Sequence, residues 1–181
     1  MQESEMKEEN QMIIETKTLK LESKENQVTY HNITEQVREI VKKSDIKEGL
    51  CTVVSPHTTC SIIFEELSYD KNFRGYEYLQ QDLNELMDRL IPKCEVEGQY
   101  HHPGSEHIRV GLEVFKGKIS PEAYTMLNTD AHLRSSLLGT SESFIVEDGE
   151  LQVGLVGYVY FIDWDQNRKR TRTCKVQVIG K

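Results

Sequence analysis

Apolar positions along the chain recur at two different spacings, and the changes of spacing divide it into elements. Residues 12–22 (MIIETKTLKLE) alternate imperfectly between apolar and polar and predict a strand. Ile33, Val37, Ile40 and Val41 then recur at helical spacing, behind an Asn32-x-x-Glu35 pattern of the capping-box type. That helix is expected to end near Ser44, with Gly49 leading into a strand over 50–54. Residues 60–64 predict a further strand, the partner or the continuation of the one before. The stretch between them, SPHTT, places a proline, a histidine and three hydroxyls inside an apolar run. A packed strand has no use for such residues.

Residues 77–91 carry the clearest helical pattern, with Leu79, Leu83, Leu86, Met87 and Leu90 as one stripe and Pro92 as the stop. Residues 93–121 show no sustained period and read as a long irregular excursion. A short helix is expected over 130–138, closed by Gly139 at the C′ position. After it, Ser143–Glu147, the Asp148-Gly149 turn and Leu151–Ile162 read as a hairpin. Gly154 and Gly157 within the second arm point to a bulge or a close backbone approach. From Lys169 to Ile179 the alternation is clean, with Cys174, Val176 and Val178 on one face and Thr173, Lys175 and Gln177 on the other. That is the pattern of a half-buried antiparallel strand. Taken in order, the elements predict one α+β domain over 12–181, a mixed, mainly antiparallel sheet packed with helices, behind a disordered tail at 1–11.

Composition narrows the function. The 181-residue chain carries a net charge of −8, so no global basic field draws it to nucleic acid, although a local cationic pocket stays open to it. No apolar stretch approaches the roughly 20 residues of a membrane span. The charged start, MQESEMKEEN, lacks the apolar segment of a signal peptide, and a cytoplasmic protein is expected. Cys51, Cys60, Cys94 and Cys174 are scattered with no C-x-x-C pair and read as free thiols.

Chemistry gathers at junctions between elements. His31 and His107 read as surface residues, and Asp82 as helix surface charge. The remaining histidines fall in three places: His57 in SPHTT, His101 and His102 in QYHHPG, and His132 in NTDAH. One imidazole from each place would make a three-ligand cage for zinc with an open position, whereas spacing alone equally allows three unrelated loop histidines. Asn128 or Thr129 can cap the following helix, and Asp130 either complements its dipole or orients an imidazole. Thr58 and Thr59 can bind an anionic oxygen or satisfy the backbone at the strand break. Glu66 is a general base or metal ligand on one reading and a solvated carboxylate on the other. Arg168 and Arg170 would share a face in a strand, and paired guanidiniums suit phosphate, although a charged hairpin end has the same look.

In this order the pieces resemble the YjbQ family, also called the secondary thiamine-phosphate synthase family. The resembling blocks are His57-Thr58-Thr59-Cys60-Ser61 running on to Glu65-Glu66, Asp82 with Pro92, and Tyr100-His101-His102. Further on come Asn128-Thr129-Asp130-Ala131-His132 with Leu137-Leu138-Gly139-Thr140-Ser141, then Asp148-Gly149, Gly154, Asp165, Arg168 and Arg170. The resemblance implies an α+β subunit assembled as a homotrimer, with His57, His102 and His132 clustered in a pocket near a subunit interface. It implies a divalent metal ion (zinc or magnesium) or an anion there, and weak transfer chemistry joining a pyrimidine diphosphate to a thiazole phosphate with loss of pyrophosphate. On that reading His57, Glu66, Asp130 and His132 are catalytic. Thr58, Thr59, Asn128, Arg168 and Arg170 bind a small phosphorylated metabolite, and His57, His102 and His132 hold the ion. The alternative is a metal- or anion-binding trimer without catalysis.

The chain departs from the family pattern in three places. Glu65 stands where the family has asparagine, Leu155-Val156-Gly157 stand where it has T-W-Q, and the 103–127 loop is longer. Loss of a tryptophan removes a stacking surface and is expected to change the ligand more than the fold.

Overall fold

The structure is a computed structural model, described here for residues 11–114, 116–117 and 126–181. The expected tail at 1–11 lies outside this set except for Gln11, as does much of the second half of the 103–127 loop.

The elements run β1 (Ile13–Glu22), β2 (Thr29–Asn32), α1 (Thr34–Lys43), β3 (Gly49–Val54), β4 (Cys60–Glu66), α2 (Tyr78–Leu90), α3 (Ser105–Val114), α4 (Thr129–Leu138), β5 (Ser141–Glu147), β6 (Glu150–Leu151), β7 (Gly157–Asp163) and β8 (Thr171–Gly180). They build an α+β domain with two sheets, ordered β1-β8-β3-β5-β6 and β2-β7-β4. Every strand pair of both sheets is antiparallel. Among the described residues no helix is long and apolar enough to cross a membrane.

The main core lies between the two sheets and under α1. Cys51 and Val53 of β3 and Cys174, Val176 and Val178 of β8 meet Ile62 of β4 and Val159 and Phe161 of β7, with Val37 and Val41 closing one side. A second core on the far face of the smaller sheet joins Ile162 and Trp164 to Met87 of α2 and Ala131 of α4. The smaller sheet is thus covered on both faces. This explains the near-continuous apolar run of β7, GYVYFID, buried at almost every position. Trp164 is fully buried, and its indole N–H donates to Ser61 Oγ at 2.9 Å, which satisfies the donor that burial would otherwise strand. All four cysteines are buried and unpaired.

Several expectations are corrected by tertiary packing. β4 is neither the partner nor the continuation of β3, because the two strands lie in different sheets. The hairpin arm 151–162 is two strands. β6 stays in the larger sheet, and after the positive-φ turn at Gly154 the chain crosses to begin β7 at Gly157. Gly157 is the expected close approach, since a Cβ there would collide with the Phe64 ring and the Val153 carbonyl. The α2 stripe splits: Met87 is buried beside Gln80, whereas Leu79, Leu86 and Leu90 are exposed. Gln80 takes an inward position because it completes a capping box with Glu77. Asn32 caps α1 from one residue further back than expected, accepting the Thr34 N–H at 3.1 Å. The excursion after residue 93 contains a helix, α3, which carries little apolar surface inward and so gave no clear period.

Candidate functional site

Two of the segments that carry the chain across between the sheets lie side by side. Residues 55–59 leave β3 of the larger sheet for β4 of the smaller, and residues 164–170 make the return from β7 to β8. The Trp164 N–H donates to the Thr59 carbonyl at 3.0 Å, which ties the two crossings together. The apolar run is interrupted at SPHTT because the chain changes sheet there. Ser55 Oγ accepts the His57 N–H at 3.2 Å and shapes the bend.

The return crossing is held by two buried aspartates. Asp163 receives Arg172 through both carboxylate oxygens, at 2.6 and 2.8 Å, and Arg172 also donates to Thr59 Oγ1 at 3.0 Å. Asp165 accepts the Asn167 N–H, the Asn128 side chain at 2.9 Å and Arg170 at 2.5 Å. Negative charge therefore sits behind the segment and guanidiniums sit in front of it.

In front is a cleft of about 390 Å³. The first crossing lines it with Pro56, His57, Thr58 and Thr59, the return crossing with Arg168 and Arg170, and the start of β8 with Arg172. Asn128 and His132 enter from the start of α4, joined by His102, His107 and Met126. No carboxylate is among the described lining residues. The rings of His102 and His132 stand 5.5 Å apart, centre to centre, and those of His102 and His107 stand 4.5 Å apart.

All three expected imidazoles are held below the usual histidine range. Burial is the main cause for each. The Arg172 charge adds to it at His57, and the His107 and His132 charges add to it at His102. At His132 burial outweighs a hydrogen bond with the Thr58 backbone that acts the other way.

The cleft brings together eight of the residues singled out in the sequence: His57, Thr58, Thr59, His102, Asn128, His132, Arg168 and Arg170. Two others lie elsewhere. Glu66 ends β4, a strand of seven residues that starts at the cleft, which puts it roughly 20 Å away along the strand. Asp130 is buried and turned inward, accepting the Cys94 N–H at 3.2 Å and standing 3.9 Å from Arg134. It is a structural acceptor for the segment after α2. Arg172, His107 and Met126 line the cleft and were missed by the sequence reading. Arg172 continues the two-residue spacing of Arg168 and Arg170 and was legible; His107 is placed by α3, whose period was not.

His57 Nε2 accepts the Thr173 N–H at 2.9 Å, which leaves only Nδ1 for any ion. Among the described residues no three histidine, cysteine, aspartate or glutamate side chains are grouped to hold a metal ion. A preformed three-imidazole cage does not fit this arrangement.

An α+β domain with a histidine- and arginine-lined cleft where two chain segments cross between its sheets defines the class of protein. The family model described as UPF0047 protein YjbQ-like matches residues 17–181, and the chain belongs to this family. It is 30% identical over 139 residues to a UPF0047 protein of Archaeoglobus fulgidus, covering 77% of this chain and 83% of the relative. It is 27% identical over 149 residues to the UPF0047 protein YugU of Bacillus subtilis, covering 82% and 88%. Among solved structures it is similar to a YbjQ-like protein of unknown function from Sulfolobus solfataricus, with a TM-score of 0.69, 22% identity, and 94% and 100% of the two chains covered. A YjbQ/UPF0047 family protein of Clostridium acetobutylicum matches with a TM-score of 0.62, 25% identity, and 88% and 98% covered.

The family-pattern departures at Glu65 and at 155–157 meet in a separate pocket of about 240 Å³, lined also by Phe64, Glu66 and Val153. Within this chain they leave the arginine cleft untouched. Glu65 there is pushed up to about 7 by burial and by the neighbouring Glu77 carboxylate. A carboxyl whose folded-state value is raised binds protons more strongly folded than unfolded, so its contribution to stability is fully present near pH 4 and is lost as pH rises through about 7. Glu65→Gln is therefore expected to raise the urea midpoint at pH 8, with the gap over wild type closing at pH 5. An equal gap at both pH values would contradict this assignment.

Proposed function

We propose that the cleft binds a small phosphorylated metabolite, and that its chemistry is transfer of a group away from pyrophosphate. One observation carries this reading: three guanidiniums and no carboxylate line the described cleft of a chain whose net charge is −8. Guanidiniums bind phosphate oxygens through paired, charge-assisted hydrogen bonds and stabilise the charge that develops on a departing diphosphate. With Glu66 and Asp130 outside the cleft, proton transfer falls to the imidazoles of His102 and His132, and Thr58 and Asn128 supply neutral contacts. A divalent ion would enter only as a companion of the ligand's phosphates.

The reactant pair this suits is the one the family resemblance names, a pyrimidine diphosphate and a thiazole phosphate. The subunit is further proposed to assemble as a homotrimer. The outer face of the larger sheet supports assembly, because Ile14, Ile179, Leu50 and Ile145 sit in direct cross-strand register there and Ile14, Leu50 and Ile145 are exposed.

The test is formation of thiamine phosphate from the two reactants, measured by mass spectrometry, in wild type and His132→Ala. The expected result is turnover in wild type that falls about a hundredfold in the variant, with light scattering showing the same trimer in both. Binding of pyrophosphate with no product above background would favour the second reading, a non-catalytic anion-binding trimer. The displacement of Glu66 and Asp130 from the cleft is the observation on that side.

A further inference from the structure

The hydrogen bonds around two of the cleft imidazoles fix which ring nitrogen carries the proton. Thr129 Oγ1 lies 2.5 Å from the His102 carbonyl oxygen and 2.9 Å from His102 Nδ1. A carbonyl oxygen only accepts, so the single hydroxyl proton of Thr129 is directed there. What the hydroxyl offers to Nδ1 is a lone pair, and Nδ1 must donate. In a neutral ring the lone pair then sits on Nε2. Thr129 is buried and is not part of the cleft lining, whereas His102 is, so the ring edge opposite Nδ1 is the one left for a ligand. His57 is set the other way. Its Nε2 accepts the Thr173 main-chain N–H at 2.9 Å, which puts its proton on Nδ1 and its lone pair out of use.

We propose that Thr129 is a positioning residue that locks His102 in the Nδ1–H tautomer, giving the cleft a fixed hydrogen-bond acceptor at His102 Nε2 beside the donors of its arginines. The ligand class this suits is a phosphate ester or diphosphate whose organic part carries an N–H or O–H group. That consequence for ligand choice rests on the phosphate reading of the cleft; the tautomer does not.

The test is a long-range proton–nitrogen correlation spectrum of the histidine rings at pH 7.5, with His102 assigned by the signals lost in His102→Gln. Wild type and Thr129→Ser are expected to show Nδ1 protonated and Nε2 bare at His102. Thr129→Val is expected to lose that pattern in favour of a mixture containing Nε2–H. An Nε2–H or averaged pattern in wild type overturns the proposal, and so does a Thr129→Val spectrum identical to wild type. If Thr129→Val does not fold, the wild-type and Thr129→Ser spectra still decide the matter. Titrating the wild-type sample with inorganic pyrophosphate separates the two ideas. A locked ring without pyrophosphate binding would defeat the phosphate reading alone, and bound pyrophosphate with an unlocked ring would defeat this proposal alone.

Discussion

Replacing Arg172 with leucine will cost the fold about 3–5 kcal/mol. Arg172 and Asp163 are 5% and 1% exposed, and their bidentate pair spans the point where the chain returns from the smaller sheet to the larger. Removing one member of a buried pair leaves the other charge uncompensated in a medium that cannot solvate it, which is why the loss exceeds that of a surface pair. The same change frees Thr59 Oγ1, so the two crossings lose a link as well. Urea unfolding is expected to show the midpoint falling by about 2 M for a slope of roughly 2 kcal/mol/M. The double variant Arg172→Leu with Asp163→Leu should recover part of that loss, since it removes the stranded charge. A single variant within about 0.5 kcal/mol of wild type would mean that this pair is not what holds the crossing.

Arg168→Ala carries the second large effect, on ligand affinity. A hydrogen bond to a charged group contributes about 1.5–3 kcal/mol, which is roughly a tenfold to hundredfold loss in affinity for inorganic pyrophosphate. Altering Arg170 or Arg172 instead would mix binding with stability, because Arg170 holds Asp165 and Arg172 holds Asp163. Lys47→Ala is the control. Lys47 packs beside Gly149 in the turn between β5 and β6, outside the cleft, and its loss should leave pyrophosphate affinity unchanged. Affinity in wild type should also fall as salt rises, because the attraction is between charges. Calorimetric titration of the three proteins at two ionic strengths measures both effects.

Much of this arrangement was legible in the sequence, and the failures have physical causes. The alternation of β8 and the spacing of α1 survive because each element buries one face on a neighbour. β6 and β7 read as one strand over 151–162 because a strand covered on both faces has no polar alternation to mark where it begins. The α2 stripe misled because a helix can expose leucines, here Leu79, Leu86 and Leu90, when its capping box claims an inward position. For the site, short polar interruptions of apolar runs were the useful signal. They found His57, Thr58 and Thr59 because a chain that changes sheets must expose its backbone to polar partners at the crossing. Residue type without direction was not enough for Glu66 and Asp130. A carboxylate near a site in sequence lies at the far end of a strand in one case and faces the interior in the other. His107 depended on a helix whose period the sequence did not show.

The measurement that most directly tests the claim of a phosphate-binding cleft is a crystal structure of the protein grown with pyrophosphate. Phosphate oxygens are expected within hydrogen-bond distance of Arg168 and Arg170, with His102 Nε2 facing the bound group. Pyrophosphate bound elsewhere on the chain, or a cleft holding none at millimolar concentration, would contradict that claim.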